Sequence, residues 1–216
     1  MPPSPRPSPR PSPPDPVDWS PALAHLRVAD PALAPLIERH GAPQIAPTTD
    51  AVRSLARAIV SQQLSGKAAD TIWGRVVALY PRRRFPGPRA ILATPDEALR
   101  GAGLSRAKAA AIKDLARHAS GRTLTTARLA RATDAEIAER LLPIRGIGPW
   151  SIDMFLMFAL ARPDVLPVGD LGIRKGMQRH FRLRKLPEPA RMRALAARWQ
   201  PYRTVASWYM WRLLES

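Results

Sequence analysis

The sequence predicts an all-α fold with two lobes and a cleft between them. From residue 18 onward, residues that cap helices, prolines suited to first helical turns and glycines suited to helix ends recur along the chain. Alternating runs of β-branched residues, which would predict strands, are few. Because the stretches between predicted helices are short, we expect residues 18–216 to form one interleaved two-lobed unit.

The first 17 residues are expected to lie outside this unit. They repeat Ser-Pro-Arg units and are rich in proline, so they lack the apolar side chains needed to build a core. We interpret residues 1–17 as a disordered Pro/Arg-rich tail. Arg6 and Arg10 are compatible with a contact to DNA, although a solvated leader is the simpler interpretation.

The first strongly amphipathic segment begins at Asp50. This residue is placed to cap a helix that presents Leu55 and Ile59 on one face. A second helix is predicted after residues 65–67, with Trp73 among its inward-facing side chains.

Capping signals continue through the middle of the chain. Residues 94–97, Thr-Pro-Asp-Glu, have the spacing of a capping box with proline at the first helical position, and Thr133 with Glu136 has the same spacing. Ser105 is placed to begin a helix that runs to Gly121. Further helices are predicted over residues 149–161, 171–181, 189–199 and 203–214.

Composition limits the chemistry and the partners. Cysteine is absent, which excludes disulfides, cysteine-ligated metal clusters and a cysteine nucleophile. Lys and Arg number 34 against 17 Asp and Glu, for a net charge of +17, so we expect a polyanionic partner. We find no apolar stretch long enough to span a membrane and no signal-peptide pattern, and we therefore expect a cytoplasmic location. The charge alone does not distinguish nucleic acid from an anionic membrane surface.

The segment most informative about function is residues 142–151, Leu-Pro-Ile-Arg-Gly-Ile-Gly-Pro-Trp-Ser. A helix is expected to end at Pro143, the two glycines allow a tight turn, and Pro149 suits the first turn of the next helix. Such a turn presents free backbone amides at a helix N-terminus, where a phosphate of nucleic acid would bind. An ordinary turn between packed helices is the alternative interpretation.

Asp170 is conspicuous for its surroundings in the sequence. No other acidic residue lies between it and Glu188, whereas six Lys and Arg residues do. A carboxylate among cations favours its ionised form, which suits stabilisation of a positive charge rather than donation of a proton. A helix cap is the alternative role, and the two roles are compatible.

Together these motifs resemble the helix-hairpin-helix DNA glycosylases of the HhH-GPD superfamily. The resemblance rests on Leu-Pro-x-x-Gly-Ile-Gly-x-Trp followed by Pro-x-Gly-Asp-x-Gly-Ile, and it covers about residues 50–215. More narrowly, the chain is similar to the 3-methyladenine DNA glycosylase II type. The family resemblance implies a helix-hairpin-helix at about 134–161 and Asp170 as the catalytic residue. About 30 residues separate the tail from the first matched helix, so we expect a short form that lacks an N-terminal α/β domain.

The resemblance also indicates the reaction. Bifunctional members carry a nucleophilic lysine in the hairpin, and the matching position here is Trp150. We therefore expect a monofunctional enzyme that flips alkylated bases of the 3-methyladenine and 7-methylguanine type out of double-stranded DNA. It would hydrolyse the N-glycosidic bond with an aspartate-assisted water. We expect a monomer that has no membrane partner.

Residue by residue, the resemblance implies four substrate-binding side chains, which are Trp150, Trp211, Trp208 and Gln62. Core packing is an alternative for Trp208. Gln63, or alternatively Leu64, matches the wedge that fills the gap left by a flipped nucleotide. The other DNA-binding candidates are Lys67, Arg145, Gly146, Gly148 and Ser151.

No divalent cofactor is implied by the resemblance. A monovalent ion, Na⁺ or K⁺, is expected at the hairpin, held by the backbone carbonyls of Leu142, Ile144 and Ile147. Two other functions remain open at this point: a noncatalytic helix-hairpin-helix module that only binds DNA, and a glycosylase for oxidised bases. The aromatic residues around the hairpin favour catalysis over the first, and the missing lysine disfavours the second.

Overall fold

The computed structural model describes residues 16–64, 66–80, 85–121 and 123–215. The predicted tail up to residue 15, and Ser65 before the second predicted helix, lie outside these ranges. The described residues contain α-helices and no strand, which confirms the all-α prediction. The α-helices are α1 Ser20–Ala29, α2 Ala34–His40, α3 Ala51–Ser61, α4 Gly66–Ala78, α5 Pro88–Ala93, α6 Asp96–Gly101, α7 Arg106–Ser120, α8 Thr126–Arg131, α9 Asp134–Leu141, α10 Pro149–Met154, α11 Leu171–His180, α12 Pro189–Ala196 and α13 Arg203–Arg212.

Most of the predicted helix starts are confirmed. The Asp50 carboxylate accepts the amide of Arg53, and the Ser105 hydroxyl accepts that of Lys108. Thr133 and Glu136 form a reciprocal capping box at the start of α9. Each cap satisfies amides that have no partner within the helix.

The capping box expected at Thr94 is wrong. Helix α6 begins one residue later than predicted, with Pro95 at the N-cap position, and no side chain bonds to its first turn. The Thr94 hydroxyl instead donates to the carbonyl of Ala90 at 2.8 Å and lies 3.0 Å from the Tyr80 hydroxyl. The Thr94 hydroxyl is therefore bonded to a backbone carbonyl of the preceding helix and to the Tyr80 hydroxyl, and it does not cap α6.

Two separate hydrophobic cores define the two lobes. The first core joins helices α3 to α10 and the hairpin, and includes Leu55, Ile112 and Phe155. The second joins α1 and α2 to α11, α12 and α13, and includes Leu26 and Trp199. The chain thus places its N-terminal helices with its C-terminal ones, which gives the interleaved arrangement expected from the sequence.

The lobes meet where the two halves of the candidate site lie. Helix α10 belongs to the first lobe and continues through a π-helical turn, Phe155–Ala159. Helices α11 and α13 belong to the second lobe, and Trp211 of α13 packs against both cores. Residues at the start of α10, the start of α11 and the end of α13 are therefore close to one another.

Close packing of α11 on α13 depends on glycine. A Cβ atom on Gly172 would lie 2.8 Å from the Trp211 indole, and one on Gly176 would overlap the Met210 backbone. Because neither position has room for a side chain, the two helices approach within backbone contact.

Candidate active site

Asp170 occupies the N-cap position of α11. Its Oδ1 atom accepts the amide of Ile173 at 2.8 Å, which is the capping interaction that the sequence indicated. The carboxylate is thereby fixed at the lobe boundary by a bond within its own turn.

Two tryptophans from different helices bind the same carboxylate. The Trp150 indole donates to Oδ2 at 2.8 Å, and the Trp211 indole donates to Oδ1 at 2.9 Å. Three N–H groups thus point at two oxygens that both accept. A carboxylate accepts at both oxygens, whereas a protonated acid would present a donor of its own, so this arrangement suits an ionised Asp170.

Exposed aromatic rings lie next to the two indoles' bonds to the carboxylate. Trp150 has 42% of its surface exposed and Phe158 has 41%. The Phe158 ring stacks on Trp211 with centroids 5.8 Å apart and an interplanar angle of 28°. Beside Phe158, a pocket of about 290 Å³ opens between α3 and the extension of α10, lined mainly by apolar groups that include Ala58, Met154 and Phe155.

Phe158 was missed by the sequence reasoning. It lies in a continuous apolar run, Phe-Leu-Met-Phe-Ala, in which periodicity does not reveal the exposed residue. The π-helical turn changes the angular register of this run, so Phe158 is exposed while its neighbours Met157 and Ala159 are buried.

The hairpin turn has the geometry that its glycines indicated. Gly146 has a φ of +79°, in the left-handed region that glycine adopts at little cost. Gly148 is the N-cap of α10, and a Cβ there would meet open space. The turn is therefore tight at Gly146 and open to an approaching ligand at Gly148.

Gln62 and Ser151 contact each other beneath the hairpin. The Gln62 amide donates to the carbonyl of Gly146 at 2.8 Å and to the Ser151 hydroxyl at 3.2 Å. Ser151 is only 6% exposed. Both side chains brace the hairpin against the end of α3, and their predicted contacts with substrate and with DNA stay predictions.

The predicted wedge lies at an exposed turn between α3 and α4. Gln63 adopts a φ of +55°, which is uncommon for a residue with a side chain, and Leu64 is 37% exposed. Lys67, in the first turn of α4, and Arg145 of the hairpin are also exposed. These four residues therefore lie on the surface, as contact with DNA would require.

Trp208 is placed differently from the other substrate candidates. It packs on the second core, with its ring 5.1 Å from that of Tyr209 and 6.4 Å from that of His40, and the Arg212 guanidinium lies 5.1 Å from its centroid. These contacts are with the second core and not with Asp170, so its predicted role in substrate binding stays a prediction.

Two other aspartates near the site have different environments. Burial, together with the negative charge of Asp134, raises the pKa of Asp153 to about 6. Asp164 pairs with the Arg203 guanidinium at 2.6 Å. Neither binds an indole, so Asp170 differs from both in the donors that hold it.

The predicted ion ligands belong to the hairpin backbone. The Ile144 carbonyl accepts the amide of Ile147 at 3.0 Å, which closes the turn that carries Leu142, Ile144 and Ile147. Carbonyl oxygens are ligands that alkali ions take, so these residues fit Na⁺ or K⁺, which remains a prediction. Within the described residues, no group of three or more His, Asp or Glu side chains could hold a metal.

Comparison with known families gives a match over most of the chain. The model of the HhH-GPD superfamily, described as base excision DNA repair proteins, matches residues 56–201. The DNA-3-methyladenine glycosylase 1 of Schizosaccharomyces pombe is 38% identical over 159 residues, which are 73% of this chain and 70% of that protein. A Bacillus subtilis protein named as a putative DNA-3-methyladenine glycosylase is 30% identical over 91% of this chain and 71% of its own.

Solved structures show the same fold. The S. pombe 3-methyladenine DNA glycosylase in complex with abasic DNA superimposes with a TM-score of 0.79 at 33% identity, covering 89% of this chain and 96% of that one. A DNA-3-methyladenine glycosidase from Bacillus halodurans gives a TM-score of 0.77 at 35% identity, covering 89% and 88%. Among the described residues, no helix is both long and apolar enough to cross a membrane.

Proposed function

Since the chain belongs to the HhH-GPD superfamily of base excision DNA repair proteins, we propose that it is a monofunctional DNA glycosylase that removes alkylated bases from double-stranded DNA. The observation that carries this proposal is the carboxylate of Asp170, which accepts N–H bonds from Trp150, Trp211 and Ile173 beside exposed aromatic faces. A module that only bound phosphate would need the hairpin but not this arrangement.

Substrate selection follows from the aromatic faces. Bases alkylated at ring nitrogens, such as 3-methyladenine and 7-methylguanine, carry a positive charge in DNA. A cation is attracted to the face of an aromatic ring, and stacking of a base on such a ring contributes about 1–3 kcal/mol. Trp150, Trp211 and Phe158 would offer these faces to an extruded base. Extrusion costs only a few kcal/mol and is easiest for a damaged base that pairs poorly.

Chemistry would then occur next to Asp170. The bond between C1′ of the sugar and the base breaks, its electron pair leaves with the base, and the cationic base departs neutral. The sugar becomes an oxocarbenium ion, which a fixed carboxylate stabilises electrostatically. Water would add to C1′, and Asp170 would orient this water and accept its proton. No covalent bond between enzyme and sugar is required.

The hairpin would fix the position of the DNA strand relative to this carboxylate. The open backbone at Gly148 stands at the N-terminus of α10, where free amides and the helix dipole favour a phosphate. Trp150 comes two residues later and reaches Asp170 directly. The backbone at Gly148, which would bind the strand, and the Trp150 indole, which contacts the carboxylate, therefore belong to one helical turn.

The test is base release from methylated duplex DNA by the Asp170→Asn variant. We expect release to slow by about 100-fold or more, the effect typical of losing a preorganised electrostatic contact. Affinity for a duplex with a stable abasic analogue should stay within about threefold, because the phosphate contacts are unchanged. Asp153→Asn is the matched control and should release bases at nearly the wild-type rate. Binding without release by the wild type would instead support the noncatalytic module.

A further inference from the structure

Three residues of helix α7 contact the two loops that are proposed to meet DNA, which are the wedge turn after α3 and the hairpin. Lys108, Ala111 and Asp114 follow at intervals of three residues, so each is a neighbour of the next on the helix surface. Each contacts one of the loops. We call these three residues the α7 stripe.

Lys108 holds the turn that carries the wedge. Its ammonium donates to the carbonyl of Val60 at 2.8 Å and to that of Gln62 at 2.7 Å. These carbonyls lie at the end of α3, where the helix supplies them with no amide partner. Burial lowers the pKa of Lys108, consistent with an ammonium drawn into the protein to make these bonds.

Ala111 and Asp114 hold the hairpin. The Asp114 carboxylate accepts the amide of Arg145 at 2.8 Å. The methyl group of Ala111 packs under Gly146, since a Cβ added to that glycine would lie 3.1 Å from it. The hydrogen bond from Gln62 to the Gly146 carbonyl then joins the two loops to each other and closes the network.

We propose that Lys108 is a positioning residue for base extrusion, acting through the wedge turn that it holds at a fixed distance from the hairpin. This inference rests on the proposed function and adds to it the residue that couples the two DNA-facing loops. Lys108 itself would contact neither the base nor the phosphate.

The physical argument concerns the entropy of the wedge turn. Fixing a flexible turn costs conformational entropy, and a wedge that became ordered only on insertion would add that cost to the cost of extrusion. Gln63 also needs restraint because its positive φ is unfavourable for a residue with a side chain. Because Lys108 bonds to the carbonyls of Val60 and Gln62, the turn is already ordered in the folded protein, before DNA binds.

The proposal is tested with the Lys108→Met variant in single-turnover base release. Two duplexes are compared, one with the damaged base paired and one with it opposite a stable abasic analogue, where extrusion breaks no base pair. We expect at least about a tenfold loss on the paired duplex and less than about threefold on the unpaired one, because only in the first must extrusion also break a base pair. Lys108→Arg, which keeps a cationic donor, should recover most of the loss.

Lys113→Met is the matched control. It removes the same charge from the same helix, but its ammonium pairs with Asp96, away from both loops. Equal rates for Lys108→Met and Lys113→Met on the paired duplex would overturn the proposal. Equal losses on both duplexes would do the same, since they would indicate a defect in chemistry or folding rather than in extrusion.

A second measurement separates this proposal from the proposed function. If the wild type releases no base from either duplex, the glycosylase assignment fails, while amide hydrogen exchange still tests Lys108. Exchange within residues 61–64 and 145–147 should rise at least about threefold in Lys108→Met relative to Lys113→Met, because both loops lose a shared anchor. Unchanged exchange in these segments would show that Lys108 does not hold the loops.

Discussion

The indole nitrogen of Trp150 lies 2.8 Å from Oδ2 of Asp170, so a side chain of the hairpin helix meets one from the start of α11. This bond crosses the boundary between the two lobes. A change in the position of the hairpin is therefore transmitted directly to the carboxylate, and the next two predictions test the indoles that hold this carboxylate.

Trp150→Phe keeps an aromatic face but removes the donor to Asp170. A hydrogen bond to a charged group contributes about 1.5–3 kcal/mol, so we expect base release to slow by about 10- to 100-fold while DNA affinity changes little. The measurement is single-turnover release from methylated duplex DNA. Trp73→Phe, at a buried ring stacked on Phe85, is the control. A wild-type rate for Trp150→Phe would show that the orientation of the carboxylate does not depend on this bond.

Gly172→Ala tests whether base release depends on the position of the Trp211 indole. The new methyl group would lie 2.8 Å from the Trp211 indole, so the ring must shift and its bond to Asp170 must lengthen. We expect about a tenfold slower release with helical circular dichroism preserved, given that a hydrogen bond to a charged group is lost or weakened. Gly74→Ala, where a Cβ meets open space, should leave release unchanged. If both variants behave alike, the close approach at Gly172 has no functional consequence.

These contacts also show which features local sequence can predict. The caps at Asp50, Ser105 and Thr133 depend on atoms within three residues, and each was predicted correctly. Thr94 has the same local pattern, but Tyr80 and the carbonyl of the preceding helix compete for its hydroxyl. Such competition depends on tertiary packing and leaves no sign in the local sequence.

In the candidate site, too, features set by local sequence were predicted, whereas contacts between distant residues were not. Asp170 was singled out because its charge environment and its capping position are visible in the sequence, and the family resemblance then implied its catalytic role. For Gln62 the predicted substrate contact stays a prediction, whereas the hydrogen bond of its amide to Gly146, 84 residues away, was not foreseen. The contacts of Lys108 were missed for a similar reason, since its partner carbonyls are 46 and 48 residues distant. Pairings at this separation require the fold.

Asp153 should make stability depend on pH. Its pKa is raised from 3.8 to about 6, so the folded state holds this proton more tightly than the unfolded state does. The protein therefore loses stability as pH rises from about 4 to 6, and the loss persists above that range. Asp153→Asn should melt at a higher temperature than wild type at about pH 7.5, and the difference should vanish near about pH 4. A difference that is the same at both pH values would contradict this explanation.

Asp30 should have the opposite dependence. Burial raises its pKa, but hydrogen bonds at 2.8 Å from His180 and Trp199 outweigh this effect and leave the pKa below its ordinary value. Its contribution is therefore present above about pH 4 and is lost as pH falls through the lower folded value. Asp30→Ala should reduce the free energy of unfolding by about 1–3 kcal/mol at neutral pH, because two buried donors lose their acceptor.

Urea unfolding of the Asp30→Ala variant at neutral pH and at about pH 3.5 measures this difference. We expect the gap from wild type to narrow at the lower pH. A gap that widened on acidification would mean that Asp30 is not held as a carboxylate by His180 and Trp199.

The most direct test of the central claim is the ratio of single-turnover base release between wild type and Asp170→Asn on duplex DNA that contains 7-methylguanine. The asparagine amide would present a donor to at least one of the N–H groups that now bind the carboxylate, and it carries no charge to stabilise the oxocarbenium ion. We predict a ratio of about 100 or more, with abasic-DNA affinity preserved. A ratio near one would contradict the account, because the group that three N–H donors hold in place would then have no part in breaking the bond.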